Sequence, residues 1–498
     1  MTISVKPIAG TKIDADVLAV CILKETNWRA GKEFLDLDRA IGGILTSVVD
    51  AEGFEPEHGK TLLLHTHGKI PARRILLVGL GDSKELTVYL WQTALATIGR
   101  AAQDVRASTL AISVPGDGLP FEPATAFQAA VEGIFLGTYT FKKHKKPVRT
   151  DSQIVQTVFL TSAPRLDAAS RGVTRGEHIA KAVMFARDLV NEPPSVTTPT
   201  HLAHVAQSIA KGKKEFSCEV VGVSEIKKFG MGGLLGIARG SDEEPRFIKL
   251  VYKGGGRKTI VLVGKGITFD TGGLSLKPSS GMETMKLDMA GAAAVFGVFH
   301  ALTMLTPKVN VVGLVAATEN MPSGRAIKPG DIVRAMNGKT IEILNTDAEG
   351  RVILADALSY AVEKVKPDVI IDLATLTGAC MVALGEEVTG LFSNNPELSS
   401  ALKQSGEGTG ERVWELPLVK EYQDSLKSTV ADLKNITGGK YGGAITAALF
   451  LREFVPDSVP WAHLDIAGPA FAEKDTPLTP KGGTGFGVRM LLEYLRSF

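Results

Sequence analysis

The sequence predicts an α/β protein in three parts: a smaller N-terminal α/β domain over 1–165, a helical connector over 166–193, and a larger C-terminal α/β domain over 194–498 with a mostly parallel central sheet. Three observations predict it. Apolar runs of strand length alternate with segments of helical period through most of the chain, which is the pattern of βα units. A helical stretch ends abruptly on Asn191-Glu192-Pro193-Pro194, where proline removes a backbone donor and restricts the residue before it. Finally, 498 residues are enough for roughly two to three domains of about 150 residues each.

Taken in order, Ile75–Leu80 (ILLVGL) reads as a buried strand and Trp91–Val105 as a helix. Gly79-Leu80-Gly81 closes that strand as a turn; Lys84 stands where a dinucleotide fingerprint needs its third glycine. Phe141–Thr150 (FKKHKKPVRT) packs five Lys/Arg into ten residues, a solvated loop near a domain boundary. Thr174–Glu177 fits a capping box, and Ile179, Val183, Ala186 and Val190 line one face of the helix that follows. Further on, Ile260–Val263, Val309–Ala316, Ile341–Leu344 and Val369–Leu373 are strand candidates, with helices over 289–304, 351–364 and 443–454. Asn337-Gly338 between two apolar runs signals a two-residue hairpin. Gly254–Thr259 (GGGRKT) precedes its strand instead of following one, so it is no phosphate loop.

Composition narrows the function. With 44% hydrophobic and 22% charged residues the chain is neither disordered nor fibrous. Lys+Arg 56 against Asp+Glu 54 gives a net charge of +2, which removes the electrostatic case for a dedicated nucleic-acid or membrane-surface binder. Three cysteines without a CxxC exclude a disulfide scaffold and a thiolate zinc ribbon. Nine histidines include no HExxH, so a bound metal must rely on oxygen ligands. The N-terminus carries no secretory pattern, and the apolar stretch Met289–Pro307, with His300 inside it, reads as a buried core helix; a cytoplasmic, non-membrane protein is expected.

Two segments carry more charge than a core tolerates. Gly264–Ala293 follows the strand IVLV and holds Lys265, Asp270, Lys277, Glu283, Lys286 and Asp288. Asn345–Arg351 (NTDAEGR) follows the strand IEIL. Charges at a buried strand end are costly unless they pair or bind metal. Asp347 and Glu349, two apart, face one side of an extended backbone. Thr346-x-x-Glu349 is equally a capping box, and that alternative stands at even weight when the segment is taken alone. Four carboxylates converging without cations would raise one another's pKa values, whereas shared divalent ions would remove the repulsion and form a two-metal site. Such a site can polarise a carbonyl or a phosphoryl oxygen, so phosphatase and nuclease chemistry remain open on the ligands alone.

The motifs GKGITFDTGG, KLDMAGAA and NTDAEGR together resemble the leucine aminopeptidase (cytosol aminopeptidase) family of two-metal peptidases. The resemblance extends through DLVNEPPS, ENMPSGRA, DLATLTGA, ADLKNI, GGAITAALFL and WAHLDIAG, covering 180–498. It implies a C-terminal catalytic domain and removal of an N-terminal, Leu-like residue from peptides. Two divalent ions, Mn²⁺ or Zn²⁺, are implied, with Lys265, Asp270, Asp288 and Glu349 on one and Asp270, Asp347 and Glu349 on the other. A water between the ions would attack. Lys277 resembles the electrophile at the oxyanion, and Arg351 the arginine that holds a bicarbonate acting as general base. Met285, Thr375 and Gly378 resemble positions of the pocket for the first side chain, and the family assembles as homohexamers. His463 reads as a packed core histidine and Cys380 as buried, not nucleophilic. The runner-up reading adds a DNA-binding or regulatory role, for which the feature to watch is the basic run at 142–149.

Overall fold

The computed structural model describes every residue except Thr26 and 147–152. Arg149 of the basic run therefore lies outside the described residues, while Lys142, Lys143, Lys145 and Lys146 are exposed. The chain forms two compact units, Met1–Lys181 with Asp475–Pro480, and Ala182–Lys474 with Lys481–Phe498.

In the first unit, β1 (Thr2–Lys6), β2 (Val17–Ile22), β3 (Thr61–His65), β4 (Arg74–Gly79), β5 (Thr109–Ser113) and β6 (Gln156–Leu160) form one sheet in the order β1-β6-β5-β2-β4-β3. Only β3 runs antiparallel to its neighbour. β2 is buried at every position, as a parallel strand covered on both faces must be. The expected helix at 91–105 spans Val88–Asp104, and Thr87 caps it by accepting from the Leu90 N–H. Gly81, with φ +75°, makes the turn after β4.

A single helix covers Leu166–Asn191, and the division between the units falls inside it. Thr174 does not begin this helix: it lies two turns in, and its hydroxyl donates to the Ser170 carbonyl. Glu177 pairs with Lys181 one turn on. The capping-box expectation fails because the same S/T-x-x-E spacing also suits a mid-helix back-bond and an i,i+4 ion pair. The helix does stop at Asn191, ahead of the two prolines.

The second unit is built on an eight-stranded sheet. Its strands are β7 (Phe216–Val221), β8 (Arg246–Lys253), β9 (Thr259–Asp270), β10 (Asn310–Asn320), β13 (Val369–Ala374), β14 (Thr389–Ser393), β15 (Val413–Glu415) and β17 (Trp461–Asp465), in the order β15-β14-β17-β13-β9-β10-β8-β7. The four central strands, β17, β13, β9 and β10, are mutually parallel. Sites of such sheets lie beyond the carboxyl ends of the strands.

β9 is longer than its apolar run suggests: it continues through Lys265 to Asp270. Near its end the pairing with β10 slips, with Thr318 opposite Ile267 but Asn320 opposite Asp270, so β9 carries one extra residue there. Strand β12 (Thr340–Glu342), from the run read as IEIL, is not in the main sheet. It joins β11 (Ile332–Arg334) and β16 (Leu433–Lys434) in a separate three-stranded sheet. The Asn337-Gly338 hairpin forms between β11 and β12, with Gly338 at φ +89°. The apolar stretch from Met289 becomes the helix Ala290–Leu302, buried at all positions but His300. Its close seat on the sheet depends on two glycines. A Cβ at Gly264 would lie 2.7 Å from Ala292 Cα, and one at Gly291 would lie 2.1 Å from the Leu373 carbonyl oxygen.

Candidate metal centre

Three loops and strand ends bring the charged segments together. β9 delivers Lys265 and Asp270; the turn before the Ala290 helix delivers Asp288; and the segment after β12 delivers Asp347 and Glu349. Side chains at odd spacing along a regular strand point to opposite faces. The extra residue in β9 corrects this for the five-residue spacing of Lys265 and Asp270, so both converge on Glu349.

The capping alternative for Thr346 is excluded. The helix starts at Glu349 with Ala348 as its N-cap and no side-chain cap bond. Thr346 instead donates its hydroxyl to the Gly272 carbonyl and accepts from the Ser275 N–H, tying the two charged segments to each other. Asn320 adds a second tie, donating to Asp270 Oδ1 at 2.8 Å and to the Thr346 carbonyl at 3.0 Å.

The result is two overlapping groups. Asp270, Asp347 and Glu349 offer one carboxylate oxygen each, all within 4.8 Å of one another. Beside them, Lys265 Nζ lies 2.8 Å from Asp288 Oδ1, 2.8 Å from Glu349 Oε1 and 2.8 Å from the Thr375 carbonyl. Lys277 Nζ lies 2.9 Å from Asp270 Oδ2 and also pairs with Asp347. Four carboxylates thus face two ammonium groups. Burial, reinforced by like charges, raises the pKa of Asp288 and Glu349, and burial raises that of Asp347 despite Lys277. Burial by itself would depress Lys265 and Lys277, but the surrounding carboxylates hold both above the ordinary lysine range. Glu349 Oε2 is buried with no hydrogen-bond partner among the described residues. A surplus of buried anionic oxygen, one of them unpartnered, is the donor set a hard or borderline divalent cation needs.

Around this group lies a cleft of about 460 Å³, lined by all five expected ligands and by Lys277, Arg351, Met285, Thr375 and Gly378. Arg351 donates from Nη1 to the Asn435 carbonyl at 2.9 Å, while its Nε has no partner among the described residues. Burial, opposed by the charges of Glu349 and Asp465, lowers its pKa to about 10. His463 stays out of the cleft: it is fully buried, its Nδ1 donates to Asp372 Oδ1 at 2.6 Å, and it stacks on Phe392. Cys380 is buried and burial pushes its thiol up to about 12, so it is no nucleophile.

Sequence reasoning missed Asn320, Asn435 and Asp465. Asn435 accepts from the Leu344 N–H and donates to the Asn345 carbonyl, fixing the segment that carries Asp347 and Glu349. All three sit inside stretches of the family resemblance, ENMPSGRA, ADLKNI and WAHLDIAG. The available signal was a short polar residue at or beside an apolar strand.

Comparison with known proteins agrees with this geometry. The family model described as cytosol aminopeptidase family, catalytic domain, matches residues 184–492, and that for the N-terminal domain of the same family matches 20–147. A probable cytosol aminopeptidase of Geobacter sp. (strain M21) is 46% identical over 470 residues, 94% of each chain. One from Geotalea uraniireducens (strain Rf4) is 47% identical over 472 residues, again 94% of each. Among solved structures, a mutant of tomato leucine aminopeptidase superposes with a TM-score of 0.90 at 36% identity, covering 100% of this chain and 97% of that one. The bottromycin maturation enzyme BotP in complex with Mn does so with 0.86 at 36% identity, covering 97% and 99%. By sequence, by fold and by the composition of its cleft, the chain belongs to the cytosol aminopeptidase family and is a metallo-aminopeptidase.

Proposed function

We propose that the chain hydrolyses the N-terminal peptide bond of peptides, with a Leu-like first residue preferred, using two divalent ions. Lys265, Asp270, Asp288 and Glu349 would hold one, and Asp270, Asp347 and Glu349 the other. The observation that carries this reading is the convergence of Asp270, Asp347 and Glu349 within 4.8 Å in a cleft where Glu349 Oε2 has no hydrogen-bond partner among the described residues. The manganese named for BotP supports Mn²⁺ as one occupant; Zn²⁺ suits the same donors. When bound, the ions supply Lewis-acid activation of a carbonyl and of the attacking water.

The remaining roles belong to the chain's own side chains. Lys277 stands at the cleft wall beside Asp270 and Asp347, where its ammonium can meet the negative charge that develops on the carbonyl oxygen. Arg351, anchored by the Asn435 carbonyl, has its Nε left to hold a small anion such as bicarbonate, which would take the proton of the attacking water. Met285, Thr375 and Gly378 form part of the wall that receives the first side chain. A Gly at 378 leaves that wall open, since a Cβ there would meet nothing within 4 Å. A cytoplasmic homohexamer accompanies this reading from the family resemblance, and sedimentation of the purified chain tests the assembly. For DNA the exposed lysines at 142–146 are the feature to neutralise.

The test is hydrolysis of a leucine anilide with and without Mn²⁺, beside Asp347→Asn and Lys277→Ala. Both variants should lose activity by roughly two orders of magnitude or more, the scale of removing a transition-state contact. Wild-type, chelator-resistant turnover in either variant refutes the mechanism. Loss of activity in bicarbonate-depleted buffer, restored by added bicarbonate in wild type but not in Arg351→Ala, checks the anion role.

A further inference from the structure

Asp465 closes β17 in register with Ala374, the last residue of β13. It is fully buried, and within ion-pair distance no lysine, arginine or histidine contacts it among the described residues, although its charge is felt at Arg351 and His463. A carboxylate in that position is tolerated only if its lone pairs are filled, and here backbone fills them. Oδ1 accepts from the N–H groups of Leu376 at 3.2 Å, Thr377 at 3.4 Å and Ala467 at 3.2 Å, while Oδ2 accepts from the Thr377 hydroxyl at 2.7 Å. The same hydroxyl accepts from the Cys380 N–H and so caps the helix Gly378–Leu384.

These bonds gather two walls of the cleft onto one group: the turn 375–378 leaving β13, and the turn after β17 that carries Ala467. The first turn bears directly on the metal ligands. Thr375 presents its carbonyl to Lys265 Nζ at 2.8 Å and donates its hydroxyl to Asp288 Oδ1 at 2.6 Å. A carbonyl that accepts one N–H fixes the rotation of the amine about its Cε–Nζ bond. The hydroxyl fixes one oxygen of Asp288, while Lys265 Nζ lies 2.8 Å from both.

We infer that Asp465 is a positioning residue for one of the two metal sites, acting through Thr377 and Thr375 to orient Lys265 and Asp288. This rests on the two-ion reading above. An asparagine could keep its oxygen on the backbone N–H groups, but its N–H₂ would reverse the bond to Thr377, whose hydroxyl would lose its acceptor and be forced to accept a second time. The Asp270–Asp347–Glu349 group meets this relay at Glu349, which pairs with Lys265, but its own anchors, Asn320, Thr346 and Asn435, lie outside it. A general loosening of the fold would not respect that division.

The experiment strips the full-length chain with a chelator and titrates it with Mn²⁺ in a calorimeter. Wild type should bind two ions per chain. Asp465→Asn and Thr377→Val should weaken one binding step by about 10–100-fold, the usual cost of losing an outer-shell partner, and leave the other step in place. Thr377→Ser, which keeps the hydroxyl, should restore the weakened step. If Asp465→Asn fails to fold by circular dichroism, Thr377→Val decides, since Asp465 then remains. Two steps unchanged in both variants, or both steps weakened alike, overturn the inference while the two-ion reading stands. A wild type that takes up fewer than two ions overturns both.

Discussion

Gly291 is where the metal centre and the packing of the sheet meet, and adding one methyl group there tests the connection. A Cβ would sit 2.1 Å from the Leu373 carbonyl oxygen on β13 and 2.9 Å from the Lys265 nitrogen on β9. Relaxed carbon–oxygen contacts lie at about 3.3–3.6 Å, so helix and sheet must part by roughly 1 Å. Neither neighbour can rotate aside, because both are backbone. Overpacking of this kind costs about 1–3 kcal/mol, against which alanine's helix propensity returns about 0.8–1.0 kcal/mol. Because Gly291 lies in the first turn of the helix, only part of that return applies. Gly291→Ala should therefore be destabilised by up to about 2 kcal/mol, and at about 2–4 °C per kcal/mol for a domain of this order its Tm should fall by several degrees. Activity should fall further than stability. Asp288 lies three residues before the methyl group and Lys265 directly beneath it, and a 1 Å displacement of a reacting group can cost about 10²-fold. Thermal unfolding and leucine anilide hydrolysis measure the two effects, with Gly324→Ala as control, since a Cβ there meets nothing within 4 Å. A Gly291→Ala variant that melts with wild type and keeps its full rate refutes the packing argument.

Two further outcomes test the interior. Asp356 is buried, and burial pushes its carboxyl up to about 7 despite the backbone N–H groups of Leu234 and Met336 that it accepts. A raised folded pKa means the fold favours the neutral acid. The group's contribution is therefore full below pH 4 and lost as pH rises through about 7, with a ceiling of about 4 kcal/mol at about 1.36 kcal/mol per unit. The stability gap between wild type and Asp356→Asn should accordingly be larger at pH 5 than at pH 8; a gap that widens with pH contradicts this. Burial also raises the thiols of Cys21, Cys218 and Cys380, the last to about 12. Native protein at pH 8 should leave Cys21 and Cys380 unreactive toward a chromogenic disulfide until denaturant is added, and rapid native labelling of Cys380 would contradict its packing.

The segments that carry the candidate ligands were legible in the sequence because their cost was legible, and the family resemblance chose among their charges. Lys265, Asp270, Asp288, Asp347 and Glu349 interrupt glycine- and alanine-rich stretches beside apolar strands, and buried charge at that density requires compensation. Periodicity also placed β4, β10 and β13, and the helices at 88–104 and 290–302, within a few residues. What it could not supply was partnership. The run IEIL has the same pattern whether its strand joins the main sheet or, as β12 does, a small separate one. Thr174 and Thr346 both head an S/T-x-x-E spacing, yet neither caps a helix. One bonds backward within a longer helix and the other bonds Gly272, seventy-four residues away. Asn320, Asn435 and Asp465 escaped for the same reason, since a side chain that satisfies the backbone of a distant loop leaves no period behind.

The extra residue near the end of β9 sets the strand's regularity against its use. Pairing this stretch with β10 in an unbroken ladder, with no residue removed, would give a smoother sheet. Asp270, five residues on from Lys265, would then turn to the opposite face, away from Asp347 and Glu349. At this strand length, ladder regularity and a shared face for Lys265 and Asp270 exclude each other, and the bulge settles the choice in favour of the site.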